Sequence, residues 1–161
     1  MPDHAPQAEA NLRQSGLTLP SAPRPAGHYS ATRLVDGWLY TSGALPWNAG
    51  EILYPGQLGR AVSVDQGRAA ARAAALNLLA MVRDACDGDL DRVSACVRLT
   101  CTLACTADFH DHPRVIDPAS DLICTILGTE TGRHARLALA APALPFGAPI
   151  QIEGVFRLRP A

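Results

Sequence analysis

The order of elements in the sequence predicts an α+β fold, in which helices cover one face of a β-sheet. Three observations lead to this prediction: a turn dipeptide within a β-rich segment, a long segment rich in alanine and leucine, and alternating strand patterns after it. The predicted order is hairpin, helix, strand, helix, hairpin. The second face of such a sheet needs another cover, and an oligomer is the natural one for a chain of 161 residues.

The first predicted strands form a hairpin. Asp36-Gly37 lies between two β-rich runs in YSATRLVDGWLYTSG, and a two-residue type I′ turn requires the positive φ that both residues tolerate. With this turn, Ala31 faces Ser42 and Tyr29 faces Ala44 on one side of the pleat. We therefore expect Tyr29 and Ser42 to share a face.

Two helices are expected after the hairpin. Ser63 and Gln66 have the spacing of a capping box, and alanine and leucine dominate the residues from Val64 to Ala85. A second helix is predicted from about Ala119 to Leu127, with Gly128 ending it.

Three further strands complete the predicted sheet. VSACVRLTCTLACT alternates in polarity and predicts a central strand. Two final strands are predicted at 134–141 and 150–158, paired as a hairpin. Residues 44–60 are rich in glycine and proline and are predicted to be mostly loop with an exposed tip. One face of the central strand would carry Val93, Ala95, Val97, Leu99, Cys101 and Leu103.

The N-terminal segment is predicted to be an arm. Residues 1–27 would contain a short helix over 6–16 and a proline-rich extended stretch, and residues 28–161 would form a single domain. The first residues are acidic and polar, without the basic and apolar regions of a secretory signal, and no apolar run is long enough for a membrane span. A cytoplasmic protein is expected.

Composition excludes several functional classes. The formal net charge is −1, and all 14 basic residues are arginines spread along the chain, which argues against nucleic-acid and membrane partners. Five cysteines form no CxxC pair, so reduced, buried thiols are expected rather than a zinc or disulfide framework.

One strand carries a charged cluster. In GRHARLALAAPALP, a period of two places His134, Arg136 and Ala138 on the same side. A guanidinium on an otherwise apolar strand suits a carboxylate ligand, which it binds through two parallel hydrogen bonds. The alternative is an internal salt bridge from Arg136 to Glu153 or Asp121.

Other chemistry-bearing residues favour structural interpretations. His110 and His112 lack a third ligand at a supporting spacing, so a helix start is favoured over a metal site. No histidine is predicted beside Cys96, Cys101 or Cys105, so packing is favoured over a catalytic thiol. The glycines of YPGQLGRA do not form a phosphate-binding loop.

The sequence resembles the reactive intermediate deaminase family, also called the RidA or YjgF family, over residues 17–158. HAR, a turn at Leu144-Pro145 and the strand APIQIEGVF resemble its C-terminal signature. GHYSATRLVDGWLYTSGALP, AARAAALNLLAMV and DLDRVSACVRLTC resemble its first hairpin, long helix and next strand. The proline-rich arm and SDLICTILGTETGRHAR resemble its longer subgroup.

This resemblance implies a fold and an activity. The fold would be chorismate-mutase-like (bacillary type), a mixed sheet with two helices on one face, assembled as a homotrimer with a barrel-like core and pockets between subunits. The reaction would be hydrolytic deamination of small 2-imino or 2-enamino acids to 2-keto acids and ammonia, without a cofactor or metal. The arginine matching Arg136 would bind the substrate carboxylate, and Tyr29 and Ser42 would line the pocket.

The chain also departs from the family pattern. Gln151 stands where the family commonly has a glutamate, and glutamine can orient a water molecule but cannot accept its proton. Glu153 lies on the same strand face and is the available substitute. Ala138 replaces a cysteine, Ala44 a glutamine, and Asp117 an asparagine that precedes the second helix.

The expected function is that of an imine or enamine deaminase, a hydrolase acting on C–N bonds. The alternative is a non-catalytic trimer that binds small carboxylates. Ribonuclease activity or translation inhibition, described for some family members, has little electrostatic support at this net charge. The expected catalytic residues are Arg136 and Gln151, and the expected substrate-binding residues are Tyr29, Ser42, Arg136, Asp117 and Ala138.

Overall fold

The computed structural model describes residues 7–160. The strands are β1 (Thr32–Val35), β2 (Trp38–Thr41), β3 (Trp47–Asn48), β4 (Glu51–Ile52), β5 (Val93–Ala104), β6 (Ala135–Ala141) and β7 (Ile150–Leu158). The helices are α1 (Ala8–Gln14), α2 (Val64–Ala85), α3 (His112–Leu127) and the single turn α4 (Thr129–Gly132). Short 3₁₀ turns lie at Leu90–Arg92 and Pro145–Gly147.

The α+β prediction is confirmed. Five strands form one sheet in the order β1-β2-β7-β5-β6, and β3 and β4 form a separate two-stranded ribbon. Helices α2 and α3 pack against each other on one face of the sheet. Between sheet and helices lies a continuous apolar core, to which β7 contributes Phe156, β5 contributes Leu99 and α2 contributes Leu78, all fully buried. None of the described helices is long and apolar enough to cross a membrane.

The first hairpin has the predicted turn and register. Val35 pairs with Trp38 and Arg33 with Tyr40, while Asp36 and Gly37 take φ values of 49° and 78°. The predicted pairing fails only at the open end, because Ala44 bonds to Ile152 of β7 instead of facing Tyr29.

Helix α2 has the predicted limits and cap. The Gln66 backbone N–H donates to Ser63 Oγ at 3.2 Å, and the Ser63 N–H donates to Gln66 Oε1 at 2.9 Å. The chain leaves the helix through Gly88, at φ 87°.

Helix α3 ends before Gly128 as predicted. It begins at His112, which agrees with the helix start favoured for the two histidines, and not at about Ala119. The segment before Ala119 accommodates two prolines. Pro113 is tolerated in the first turn, where its missing N–H has no helical partner. Pro118 leaves the Arg114 carbonyl without its helical donor, and Arg68 Nη1 of α2 donates to that carbonyl at 2.6 Å. Asp117 therefore lies inside the helix, not before it.

The predicted final hairpin is wrong. Strand β5 lies between β6 and β7, parallel to β6 and antiparallel to β7. Parallel neighbours need a long crossover connection, and α3 and α4 provide it between β5 and β6. Arg136 is consequently beside Leu99 of β5, whereas Leu103 of β5 pairs with Ile150 of β7.

The predicted alternation of β5 is also only partly correct. Register shifts between Val93 and Ala95 and between Cys96 and Arg98 insert extra residues against β7. As a result Cys96 is buried and Val97 is exposed, the reverse of the predicted assignment. After the second shift, Leu99, Cys101 and Leu103 face the core as expected.

The N-terminal helix is held against the body of the protein. Helix α1 lies within the predicted segment; its first predicted residue is outside the described residues. Ala8 and Leu12 are buried in the core, and Glu9 binds Arg83 of α2 through both carboxylate oxygens, at 2.9 and 3.1 Å. The loop at 44–60 contains the β3–β4 ribbon, and its tip is exposed as predicted.

Candidate functional site

Arg136 lies on the edge strand β6 and points to the helix side of the sheet. Its Nη1 donates to Asp117 Oδ1 at 2.9 Å and to Ser120 Oγ at 3.0 Å, both on α3. The salt-bridge partner is thus Asp117, not Glu153 or Asp121 as the alternative interpretation had it. Glu153 is excluded because its position in the register places it on the opposite face of the sheet.

The guanidinium retains a free edge. The Arg136 side chain is 24% exposed, and its Nε and Nη2 have no partner among residues 7–160. These two groups form the planar fork that matches a carboxylate. Asp117 and Ser120 hold Nη1 on the other side of the guanidinium, so the fork is already oriented in the ligand-free protein.

His134 and Ser120 complete a short hydrogen-bond relay behind Arg136. His134 Nδ1 is 2.6 Å from the Gly132 carbonyl, which can only accept, so Nδ1 carries the proton. His134 Nε2 then accepts from the Ser120 hydroxyl at 3.0 Å, and Ser120 Oγ in turn accepts from Arg136. Burial lowers the pKa of His134, and the nearby Arg136 charge lowers it further, against the opposing effect of the Gly132 hydrogen bond.

Ala138 is two residues farther along β6 on the same face as Arg136. It is half-buried and packs against the core beside Cys101. Burial raises the pKa of the Cys101 thiol to about 11, although the Arg136 charge opposes this, so the thiol stays protonated at neutral pH. The Cys101 thiol beside Ala138 is therefore not a thiolate nucleophile at neutral pH.

Tyr29 and Ser42 line a cleft of about 540 Å³ at the other end of the sheet, which we call the arm cleft. Ser42 Oγ donates to the Ser30 carbonyl at 2.8 Å, and Tyr29 Oη accepts from the Ala26 N–H at 3.3 Å. The two side chains share this cleft, although the strand pairing from which a shared face was predicted does not extend to Tyr29. The walls of the arm cleft also include residues 23–26 of the proline-rich segment, Gly43, Trp47, Asn77, Met81 and Phe146.

Gln151 lies on the outer, helix-free face of the sheet, together with Glu153. Its side chain covers Gly43, where an added Cβ would approach the Gln151 amide to 2.3 Å. Gly43 is also part of the wall of the arm cleft. Gln151 is thus close to the Tyr29 and Ser42 group and on the face opposite to Arg136. One chain therefore holds the predicted site residues in two separate groups.

The outer face carries a row of exposed apolar side chains. Between 36% and 48% of the surface of each is exposed, and no described element covers them. They are Val35, Trp38, Tyr40, Val97, Leu137 and Leu139.

The sequence prediction missed two contacts: that of Ser120 with Arg136, and that of Cys105 with His112. Ser120 gave no signal in the sequence, because its hydrogen bond to Arg136 depends on the packing of α3 against β6. Cys105 was expected to lack a histidine neighbour, but its Sγ is 3.5 Å from His112 Nε2, since the chain turns back between β5 and α3. Burial raises the pKa of Cys105, so this pair does not hold a thiolate at neutral pH. Within the described residues, no three His, Cys, Asp or Glu side chains are grouped to hold a metal ion.

Comparison with known proteins gives consistent results over almost the whole chain. Residues 9–153 match the family described as "YjgF/chorismate_mutase-like, putative endoribonuclease". Protein TCP17 of Trypanosoma cruzi is 40% identical over 149 residues, 92% of each chain. The crystal structure of Atu1372 from Agrobacterium tumefaciens is 37% identical, with a TM-score of 0.87 over 94% of this chain and 92% of that one. A crystal structure from Shewanella oneidensis is 36% identical, with a TM-score of 0.89 over 94% and 99%.

Proposed function

This chain belongs to the RidA/YjgF family, and from that premise we propose that it hydrolyses small 2-imino acids, or their 2-enamino tautomers, to 2-keto acids and ammonia. The observation that carries the proposal is the free guanidinium edge of Arg136. A small 2-imino acid offers a planar carboxylate beside the reacting C=N bond, so the Nε and Nη2 groups of Arg136 would fix the reacting carbon in position. The reaction needs no cofactor.

The proposed active enzyme is a cytoplasmic homotrimer. Within one chain, Arg136 is separated from the group formed by Tyr29, Ser42 and Gln151. A site between subunits would bring Arg136 of one copy together with this group of its neighbour. The exposed apolar side chains of the outer face support this assembly, because a monomer rarely leaves such a surface open.

The proposed chemistry requires only positioning and a polarised water. The substrate carboxylate binds Arg136, and the protonated imine is the electrophile. Water oriented by the Gln151 amide attacks the imine carbon, and one of its protons passes to the nitrogen. As the tetrahedral species collapses, the C–N bond breaks and the remaining hydroxyl proton passes through solvent to the departing ammonia, so the products are ammonium and the 2-keto acid. Imines of this kind hydrolyse without a catalyst, so a strong base is not essential.

The test is to generate 2-aminoacrylate in place with a serine dehydratase and to follow pyruvate release. We expect the protein to accelerate release, Arg136→Ala to remove at least nine-tenths of the acceleration, and Arg136→Lys to restore little, because an ammonium lacks the fork. Arg133→Ala is the matched control, because Arg133 is an exposed arginine of the same segment. Equal rates with wild type and Arg136→Ala would contradict the proposal.

The second candidate is a trimer that binds small carboxylates without turnover. Gln151 favours it, because the amide cannot accept a proton from water. Saturable binding of pyruvate that Arg136→Ala abolishes, with no acceleration for any imino acid tried, would establish this candidate. RNA cleavage is not favoured, because the net charge is −1 and the arginines are dispersed.

A further inference from the structure

The arm cleft contains a binding surface that does not involve Arg136. The rings of Trp47 and Phe146 lie 5.2 Å apart between centroids and are tilted by 59°. Met81 and Leu45, both buried, form the deeper wall. A volume of about 540 Å³ with apolar and aromatic walls is in the range of small-molecule sites.

Asn77 of α2 holds these walls in place. Its side chain is only 2% exposed, and Nδ2 donates to the carbonyls of Leu45 at 3.0 Å and Trp47 at 2.9 Å. The same nitrogen is 3.1 Å from the Ala73 carbonyl of its own helix. The strand-to-ribbon connection that supplies two of the walls is therefore fixed to a rigid helix, so the cleft is already formed in the ligand-free protein.

Arg24 gives the cleft its charge. It is the one charged residue among the described residues that line the cleft, and it has no ion-pair or hydrogen-bond partner among residues 7–160. Pro23 and Pro25 flank it and restrict the backbone on both sides. An exposed, unpaired guanidinium at the mouth of an aromatic cleft selects ligands with an anionic group and an apolar body.

We propose that the arm cleft binds a small organic acid with an aromatic or branched apolar body, whose carboxylate is bound by Arg24 and whose body lies against Trp47, Phe146 and Met81. The Arg24 site has its own anion-binding residue, distinct from Arg136, but it shares Tyr29 and Ser42 with the proposed deamination pocket. The protein would then hold one acid at Arg136 and a different, bulkier acid at Arg24.

The test is calorimetric titration of the full chain with 3-phenylpropionate and with 3-phenylpropylamine, which has the same apolar body and the opposite charge. We expect saturable binding of the acid only. Arg24→Gln should weaken it at least tenfold, and Arg24→Glu should reverse the preference toward the amine. Arg60→Gln, at an exposed loop arginine outside the lining, should leave the affinity unchanged.

A second reporter locates the ligand. The chain has two tryptophans, so Trp38→Phe leaves Trp47 as the single tryptophan, and its emission on selective tryptophan excitation should change along the same isotherm. Absence of binding, equal binding of acid and amine, or an unchanged affinity in Arg24→Gln would each overturn the proposal. Binding lost in Arg136→Ala but kept in Arg24→Gln would assign the acid to the deamination site and would also overturn it.

Discussion

At the scale of single residues, the neighbours of Arg136 decide what it can bind. Asp117 and Ser120 both accept from Nη1 of Arg136, so Nε and Nη2 stay free for a ligand. Neutral His134 accepts the Ser120 hydroxyl proton, so the Ser120 oxygen is turned to accept from Arg136. If His134 were protonated, Nε2 would donate to Ser120 Oγ, and the Ser120 hydroxyl would have to turn its own proton elsewhere. The protonation state of this half-buried imidazole thus sets where the Ser120 hydroxyl proton points.

The lowered pKa of His134 makes stability depend on pH. The folded state resists protonation, so its contribution to stability is present above the unfolded pKa of about 6.5 and is lost as the pH falls below that value toward the folded pKa. We expect His134→Gln to lower the free energy of unfolding by about 1 kcal/mol at pH 7.5. The variant should also lose less stability than wild type between pH 7.5 and 5.0.

Urea denaturation at the two pH values measures this effect. His110→Gln, at an exposed histidine, is the control and should keep the wild-type pH dependence. An unchanged pH dependence in His134→Gln would show that His134 takes up no proton on unfolding.

At the scale of elements, one carboxylate ties α1 to two other segments. Glu9 accepts from Arg83 of α2 and, at 3.0 Å, from the Leu90 N–H of the following 3₁₀ turn. Burial alone would raise the pKa of Glu9, but the hydrogen bonds and charge of Arg83 and the Leu90 N–H together hold it below its usual value. The arm is therefore anchored at its helix.

Glu9→Gln tests this anchor. Because Arg83 is 41% exposed, solvent weakens the ion pair, and we expect a loss of about 1 kcal/mol in the free energy of unfolding. The effect should be largest at neutral pH and should shrink as the pH falls below the unfolded pKa of about 4.3 toward the lower pKa of the folded state. Thermal melts measure the effect, and the control Glu51→Gln, at the exposed loop tip, should keep the wild-type melting temperature. Equal melting temperatures for Glu9→Gln and wild type would refute the anchor.

The elements that the sequence predicted correctly are those specified by near neighbours. The Ser63 and Gln66 cap, the Asp36-Gly37 turn and the Gly128 stop each act within a few residues. The errors depend on distant contacts. Pro118 is tolerated in a helix because Arg68 donates the hydrogen bond that the Arg114 carbonyl would otherwise lack. Strand β6 pairs with β5 and not with β7, through a long crossover connection. For the same reason the sequence could name candidate site residues, but it could not predict that one chain holds them in two separate groups.

At the scale of the whole molecule, the outer sheet face is the surface on which the proposed trimer depends. Leu137 and Leu139 project from it and are 39% and 43% exposed in the single chain. Burial of such surface is worth roughly 25 cal/mol per Å², which favours association when several chains supply it together. The proposed trimer and the proposed pocket between subunits therefore both require association through this surface.

Leu139→Glu tests the assembly. We expect wild type to sediment at three times the 17.0 kDa of the chain, and the variant to sediment as a monomer because a buried, unpaired carboxylate is costly. Tyr54→Glu, an exposed aromatic in the loop at 44–60, should leave the assembly intact. A wild-type sedimentation coefficient of a monomer would exclude the shared pocket.

The central place of β7 has a consequence for how the protein folds. Strands β1 and β2 pair with each other, β5 and β6 pair with each other, and β7 alone joins the two pairs. During synthesis, a chain that has reached only residue 149 has two half-sheets without a hydrogen-bonded link. The cooperative unit can form only when the last strand enters between them, so the half-sheets expose their unpaired edges until then and are most open to mispairing with other chains.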